Sequence, residues 1–133
     1  PPNCVDFDQD NHYCSASKID SFICFDFQNK KIQLTEYEIK SRTDGDINYT
    51  NLKNWGIEGS NDNLAWTELD RRENDSSLNG ASYINLFKIQ NPQSTFYRSI
   101  RLRQTGPSWF NNSSYTHFAI TCIEFYGALQ DCA

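Results

Sequence analysis

The chain has 133 residues and a formal net charge of −5, with 14% aromatic and 38% hydrophobic residues. That length fits one domain with a core of its own. The acidic balance excludes a sequence-independent nucleic-acid binder, which needs surplus Lys and Arg to displace counterions. No apolar run approaches the roughly 18 residues of a membrane helix.

No methionine occurs, so the chain is expected to be processed or cut from a larger multidomain protein, with residues 1–133 forming a single domain. No charged n-region followed by an apolar h-region marks a signal peptide. In chain order, residues 6–11 (DFDQDN) form an acidic turn. The first strand pattern is 22–27 (FICFDF), where Ile23, Phe25 and Phe27 share one face. Further strand-like runs fall at 31–41, 55–60, 65–70, 82–90, 96–104 and 117–126. Clusters of Asn, Asp, Gly and Ser separate them.

Ser60-Asn61-Asp62-Asn63 reads as a turn, because Asn and Asp tolerate left-handed backbone and bond their own main chain. Trp55 and Trp66 flank it as strand residues, and both are expected in the core. In RSIRLRQ (98–104), Ile100 and Leu102 point one way and Arg101 and Arg103 the other. Helical periodicity is scarce and no repeat is visible. Many short strands joined by turns predict an antiparallel sandwich or jelly roll.

The five cysteines are Cys4, Cys14, Cys24, Cys122 and Cys132, without a CxxC pair. Cys24 and Cys122 lie in apolar runs, where a free thiol behaves as a small buried hydrophobe. Most are therefore expected as reduced core thiols, in a cytoplasmic protein. Sequons at Asn48, Asn74, Asn111 and Asn112 keep an extracellular or cell-surface setting as the alternative.

"NWGIEGSNDNLAWTEL" resembles the hairpin of discoidin domains, also called coagulation factor V/VIII type C domains, a galactose-binding-domain-like family. "CVDFDQDNHYCS", "SFICFDF", "FYRSIRLRQTGPSW" and "IEFYG" resemble that family's further segments in the same order. The wording "ICFDF…SR.DG…LKNW.IEGSND" is most similar to intracellular discoidin domains of protists. The resemblance covers about residues 3–129 and implies an eight-stranded antiparallel jelly-roll β-sandwich, here with its first strand missing or truncated. It implies binding rather than catalysis, through loops at one end.

Those loops correspond to 42–54 and 104–117. The first offers Arg42, Asp44, Asp46, Asn48 and Tyr49; the second offers Trp109, Asn111, Asn112, Tyr115 and His117. A sugar site needs hydrogen-bond partners for each hydroxyl and an aromatic face, and these residues supply both. Arg98, Arg101 and Arg103 are expected to pair with neighbouring carboxylates, with Arg103 nearest a ligand. The acidic tip Asp44-Gly45-Asp46 argues against an anionic lipid surface.

By the same resemblance, Asp6, Asp8 and Glu124 match a structural calcium site, although Phe7 and His12 depart from the pattern. DFDQDN is no EF-hand loop, since Asn11 stands where the sixth-position Gly belongs. No G-x-S-x-G, H-E-x-x-H or P-loop appears, so no enzyme is expected. The sequence reading is a monomeric, non-catalytic module that binds a galactose-type glycan or similar polar ligand and requires no cofactor. The alternative is a protein–protein interaction domain.

Overall fold

The computed structural model describes residues 4–6, 13–14, 22–42, 51–109 and 119–131, with 4–6, 13–14 and 119 described by backbone alone. The strands are β1 (Cys4–Asp6), β2 (Tyr13–Cys14), β3 (Phe22–Asp26), β4 (Lys30–Ser41), β5 (Trp55–Ser60), β6 (Thr67–Arg72), β7 (Ile84–Lys88), β8 (Ser99–Gln104) and β9 (Ala119–Asp131). They form two antiparallel sheets. One runs β1-β9-β4-β7, with β2 also on β9; the other runs β3-β8-β5-β6. No helix occurs among the described residues. Sequence alternation located β3 to β8 closely, ended β9 five residues short of Asp131, and missed the two short strands β1 and β2. These lie end to end on one edge of β9, with Cys4–Asp6 opposite Glu124 to Cys122 and Tyr13–Cys14 opposite Ile120 and Ala119.

Bulges explain sequence patterns that simple alternation leaves uneven. On β4, Ile32 and Leu34 are buried, then Tyr37 and Ile39. The inward parity changes at Thr35, where the register against β9 shifts between Leu34 and Glu36. An extra residue in one strand turns the following side chains over to the opposite face. The same device acts on β9, where Ile120 faces the core before a shift and Ile123 and Phe125 face it afterwards.

The core lies between the sheets and is built on Trp55, Tyr37, Ile39, Ile57, Ile100, Leu102 and Ile123, all fully buried. A polar cluster crosses it. The Tyr37 hydroxyl donates to Asp70, and Trp55 Nε1 donates to the Tyr37 oxygen at 2.9 Å. Arg72 Nε donates to Asp70 at 2.9 Å, and its Nη2 reaches the Lys88 carbonyl at 2.8 Å. The Phe87 ring stacks on Tyr37 at 5.0 Å and meets Trp55 edge-on at 5.3 Å. Strands from both sheets are thereby fastened by satisfied polar groups, the arrangement in which buried polarity is tolerated.

Three expectations need correction. Trp66 is not a core residue. It precedes β6 and is half-buried on the outer face of the four-stranded sheet, with the Arg101 guanidinium 4.2 Å from its ring centre. A cation over an indole face is itself favourable, so the tryptophan is used outside the core. Cys24 is free but exposed, because it alternates with the inward Ile23 and Phe25. Cys122 is disulfide-bonded rather than reduced.

The turn after β5 is as expected. Ser60 Oγ accepts from the Asn63 amide at 2.9 Å, Asp62 accepts from the Leu64 and Ala65 amides at 2.9 Å each, and Asn63 has φ 59°. Short polar side chains here replace the missing strand partners.

Candidate functional site

The β4, β5 and β8 termini at one end of the sandwich carry the two loops singled out in the sequence, and a third loop joins them. Residues 51–54, 73–80 and 105–109 are tied by main-chain bonds. Thr105 N donates to Asn54 O at 3.1 Å, Trp109 N to Asn51 O at 3.2 Å, and Asp75 N to Lys53 O at 3.0 Å. Side chains reinforce these ties. Asn54 Nδ2 donates to the Pro107 carbonyl at 3.0 Å, and its Oδ1 accepts from the Asn74 amide at 3.0 Å. Asn51 Nδ2 donates to Asn79 Oδ1 at 3.1 Å within the buried layer beneath.

Trp109 sits where the three loops meet. Its indole Nε1 donates to the Asp75 carbonyl at 2.9 Å, and Lys53 Nζ lies 4.6 Å from its ring centre. The side chain is half-buried. Its polar handle is therefore used internally, leaving the ring itself as its surface for contact. Below the loops, Gln104 pairs with Trp55 across β8 and β5. Gln104 is buried, and its amide nitrogen and oxygen have no hydrogen-bond partner among the described residues.

Arg42 follows β4 directly and is half-buried at this same end, where its carbonyl accepts from the Ser82 amide at 2.8 Å. Arg103 is on the outer face of the four-stranded sheet. Its Nε and Nη2 reach Glu58 Oε2 at 3.2 and 3.0 Å, while Arg101 Nε reaches Glu58 Oε1 at 2.5 Å. Burial alone would raise the Glu58 pKa, but the two guanidinium groups outweigh it and hold the carboxyl below its ordinary value. Both arginines thus have the carboxylate partner expected of them. Asp44, Asp46, Asn48, Tyr49, Asn111, Asn112, Tyr115 and His117 lie outside the described residues, as does Asp8.

For calcium, Asp6 stands opposite Cys122 across β1 and β9, two residues from Glu124. Glu124 accepts from the Tyr126 hydroxyl at 3.0 Å and faces Glu38 across the strand pair. Hard cations take six to eight oxygen ligands. Among the described residues no group of three or more His, Cys, Asp or Glu side chains is placed to hold a metal.

Sequence reasoning missed loop 73–80, which supplies the Trp109 acceptor. Its Asn-Asp-Ser-Ser run was the available signal: Asn74 has φ 51°, and Asp75 caps the Ser77 amide at 2.9 Å.

The two-sheet antiparallel β-sandwich is the fold of solved carbohydrate-binding modules of family 32. A module from a family 31 glycoside hydrolase of Clostridium perfringens superimposes with a TM-score of 0.68, covering 95% of this chain and 81% of that one at 18% identity. The C. perfringens module CpGH89CBM32-5, in complex with GalNAc-β-1,3-galactose, gives 0.67 over 92% and 80% at 9% identity. The module of AlyQ in complex with 4,5-unsaturated mannuronic acid gives 0.59 over 86% and 76% at 21% identity. No family model matches the chain. In sequence, 79 residues are 34% identical to the Drosophila melanogaster E3 ubiquitin-protein ligase Ufd4, a match spanning 57% of this chain and 3% of that protein.

Proposed function

We propose that this protein is a non-catalytic recognition module that holds a galactose-type glycan, or a ligand of similar polarity, at the loop end. The observation that carries the reading is the convergence of three mutually bonded loops on the half-buried indole of Trp109. Rigid loops with amide and carbonyl groups around an aromatic ring suit a sugar, whose hydroxyls need partners and whose C–H face needs an apolar surface. Fold neighbours that carry sugars support the same chemistry.

We further propose a secreted or cell-surface setting, the alternative named above. A disulfide at Cys122 supports it, since such bonds persist in oxidising compartments. The test is tryptophan fluorescence and a broad glycan array, run on the wild type and Trp109→Ala. A galactose-type hit lost in the variant is expected; an array with no hit overturns the reading. A protein-partner role is the second reading, supported by the partial match to a ubiquitin ligase. It is preferred if the array is blank and the same loop variants lose a protein partner instead.

A further inference from the structure

Away from the loop end, β9 presents an edge that β1 and β2 cover only in part. β9 pairs with β4 from Ile120 to Asp131 on one side. On its other side, the pairing with β1 and β2 ends at Glu124. From Phe125 to Asp131 no described strand lies beside that edge. In the second sheet β3 is terminal, with β8 on one side. Between the two edges is a groove of 590 Å³ lined by Phe25 and Phe27, Ile32, and Phe125 and Leu129, with Cys24 and Asp26 also contributing. Leu129 is 61% exposed.

A strand edge with no described neighbour, beside an apolar groove, is a template for further pairing, which proteins normally cover or blunt. A small apolar ligand would fill the groove and leave the β9 main chain unpaired. An extended strand would satisfy both. Its side chains would alternate between the two faces of the sheet. Those facing the same way as Phe125 and Leu129 would enter the groove. Those facing the other way would lie beside the outer surface, where Glu38 stands opposite Glu124 and Glu36 opposite Tyr126. Near Tyr126 the outer face is acidic, with Glu36, Glu38 and Glu124, and calls for a cationic side chain there, while Lys31 stands further along, opposite Gln130. Direction follows from continuity, because β1 already runs antiparallel on this edge. The chain leading into β1 is a poor source of such a strand. Pro1 and Pro2 carry no N–H and so cannot donate to a neighbouring strand.

We propose that this edge and groove dock an extended segment of a partner protein, alternating apolar residues with Lys or Arg, as an antiparallel strand added to β9. Such strand addition draws affinity from main-chain bonds and specificity from alternate side-chain pockets. The surface is separate from the loop end, so the proposal stands or falls independently of the glycan reading.

The test uses the whole chain and a synthetic peptide alternating lysine and valine. Two controls are a peptide of the same composition with its valines together, and one interrupted by proline. Hydrogen exchange reads the amides of 125–131, and alkylation reads Cys24. Burial and the neighbouring Asp26 raise this thiol above its ordinary pKa, so alkylation is followed at mildly alkaline pH. At about ten times its dissociation constant the alternating peptide should slow alkylation roughly tenfold, as free protein falls by 1 + [L]/Kd. It should also protect the β9 amides. Both effects should vanish with either control peptide and with Leu129→Glu, a change at an exposed position that leaves the core intact. No protection by the alternating peptide, equal protection by the clustered one, or slowed alkylation without amide protection would each overturn the proposal. The last result would mark an apolar ligand pocket instead.

Discussion

The hydroxyl of Tyr37, on β4 of the five-stranded sheet, donates to the carboxylate of Asp70, on β6 of the four-stranded sheet, and both side chains are closed to solvent. The pair joins the two layers directly, and Trp55 and Arg72 complete its hydrogen bonding. Removing one member strands the others. Asp70→Ala leaves the Arg72 guanidinium without its carboxylate and should destabilise the domain by about 3–5 kcal/mol. Tyr37→Phe leaves Asp70 and Trp55 each short of a partner, at about 1–3 kcal/mol. In a double-mutant cycle with Asp70→Asn, chemical denaturation should give a coupling of about 0.5–3 kcal/mol. Additive losses would show that the contact does not hold the layers together.

The same burial makes Tyr37 an alkaline reporter. Desolvation first, then the charge and hydrogen bond of Asp70, raise its phenol above the ordinary value of 10.0. A raised folded pKa contributes stability that is fully present below the unfolded value and is lost as pH rises beyond it. Tyrosine absorbance should therefore show one group that stays protonated above pH 10 until the fold opens. Its appearance should coincide with the loss of near-ultraviolet circular dichroism. A tyrosine titration completed before unfolding would contradict this.

Glu58 has the opposite sign. Its folded pKa lies below the ordinary 4.5 because the Arg103 and Arg101 contacts outweigh burial. A depressed folded pKa contributes stability that is present above the unfolded value and is lost as pH falls through the folded one. Stability should thus drop on acidification below about pH 4.5, and Glu58→Gln should flatten that part of the profile. The group is buried against both guanidinium groups, with side-chain exposures of 8% for Glu58, 18% for Arg101 and 22% for Arg103. The pair is thus better shielded than the exposed ion pairs whose median contribution is about 0–1 kcal/mol. Thermal melts of wild type and variant across pH 3–7 would check it.

The sheet faces were legible where alternation is regular: Ile23 and Phe25 against Cys24, Ile100 and Leu102 against Arg101. Elsewhere the physics is non-local. Trp55 and Trp66 look alike in sequence, but only Trp66 emerges beside Arg101, and the β-strand pairing decides that. The strand 55–60 is buried on both faces because Glu58 is covered by two arginines from β8, which no local pattern reveals. The strands β1 and β2 are too short to carry a period of their own. At the site, Trp109 was visible as a residue, whereas its acceptor on Asp75 is a main-chain carbonyl, to which side-chain chemistry gives no clue.

Two glycines of β5 should respond oppositely to the same change. A Cβ on Gly59 would lie 2.7 Å from the ring of Tyr97, itself buried. Gly59→Ala must displace that ring and should cost about 1–3 kcal/mol as overpacking. A Cβ on Gly56 meets nothing nearer than the Asp70 carbonyl at 3.5 Å, an ordinary contact. Gly56→Ala should be neutral or stabilising by up to about 1 kcal/mol through the lost freedom of the unfolded chain. Equal effects at the two positions, measured by urea denaturation, would show that Tyr97 does not pack on Gly59 as described.

Variants of Trp109 would separate a structural role of the loop end from the proposed recognition role. Its Nε1 bond to the Asp75 carbonyl ties loop 105–109 to loop 73–80, while the half-buried ring carries the proposed ligand contact. Trp109→Phe keeps an aromatic face and loses the tie; Trp109→Ala loses both. If the ring meets the sugar, the alanine variant should weaken glycan binding by about 2 kcal/mol or more, as for an aromatic hot spot, or roughly thirtyfold in Kd. The phenylalanine variant should keep most of the affinity while losing about 1 kcal/mol of stability with the hydrogen bond. Lys53→Ala uncovers the ring and removes no tie through its own side chain, so sugar affinity should hold or rise. Titration calorimetry and melting curves on the three variants distinguish the roles. Parallel losses of binding and stability across all three would mean that Trp109 only supports the loops.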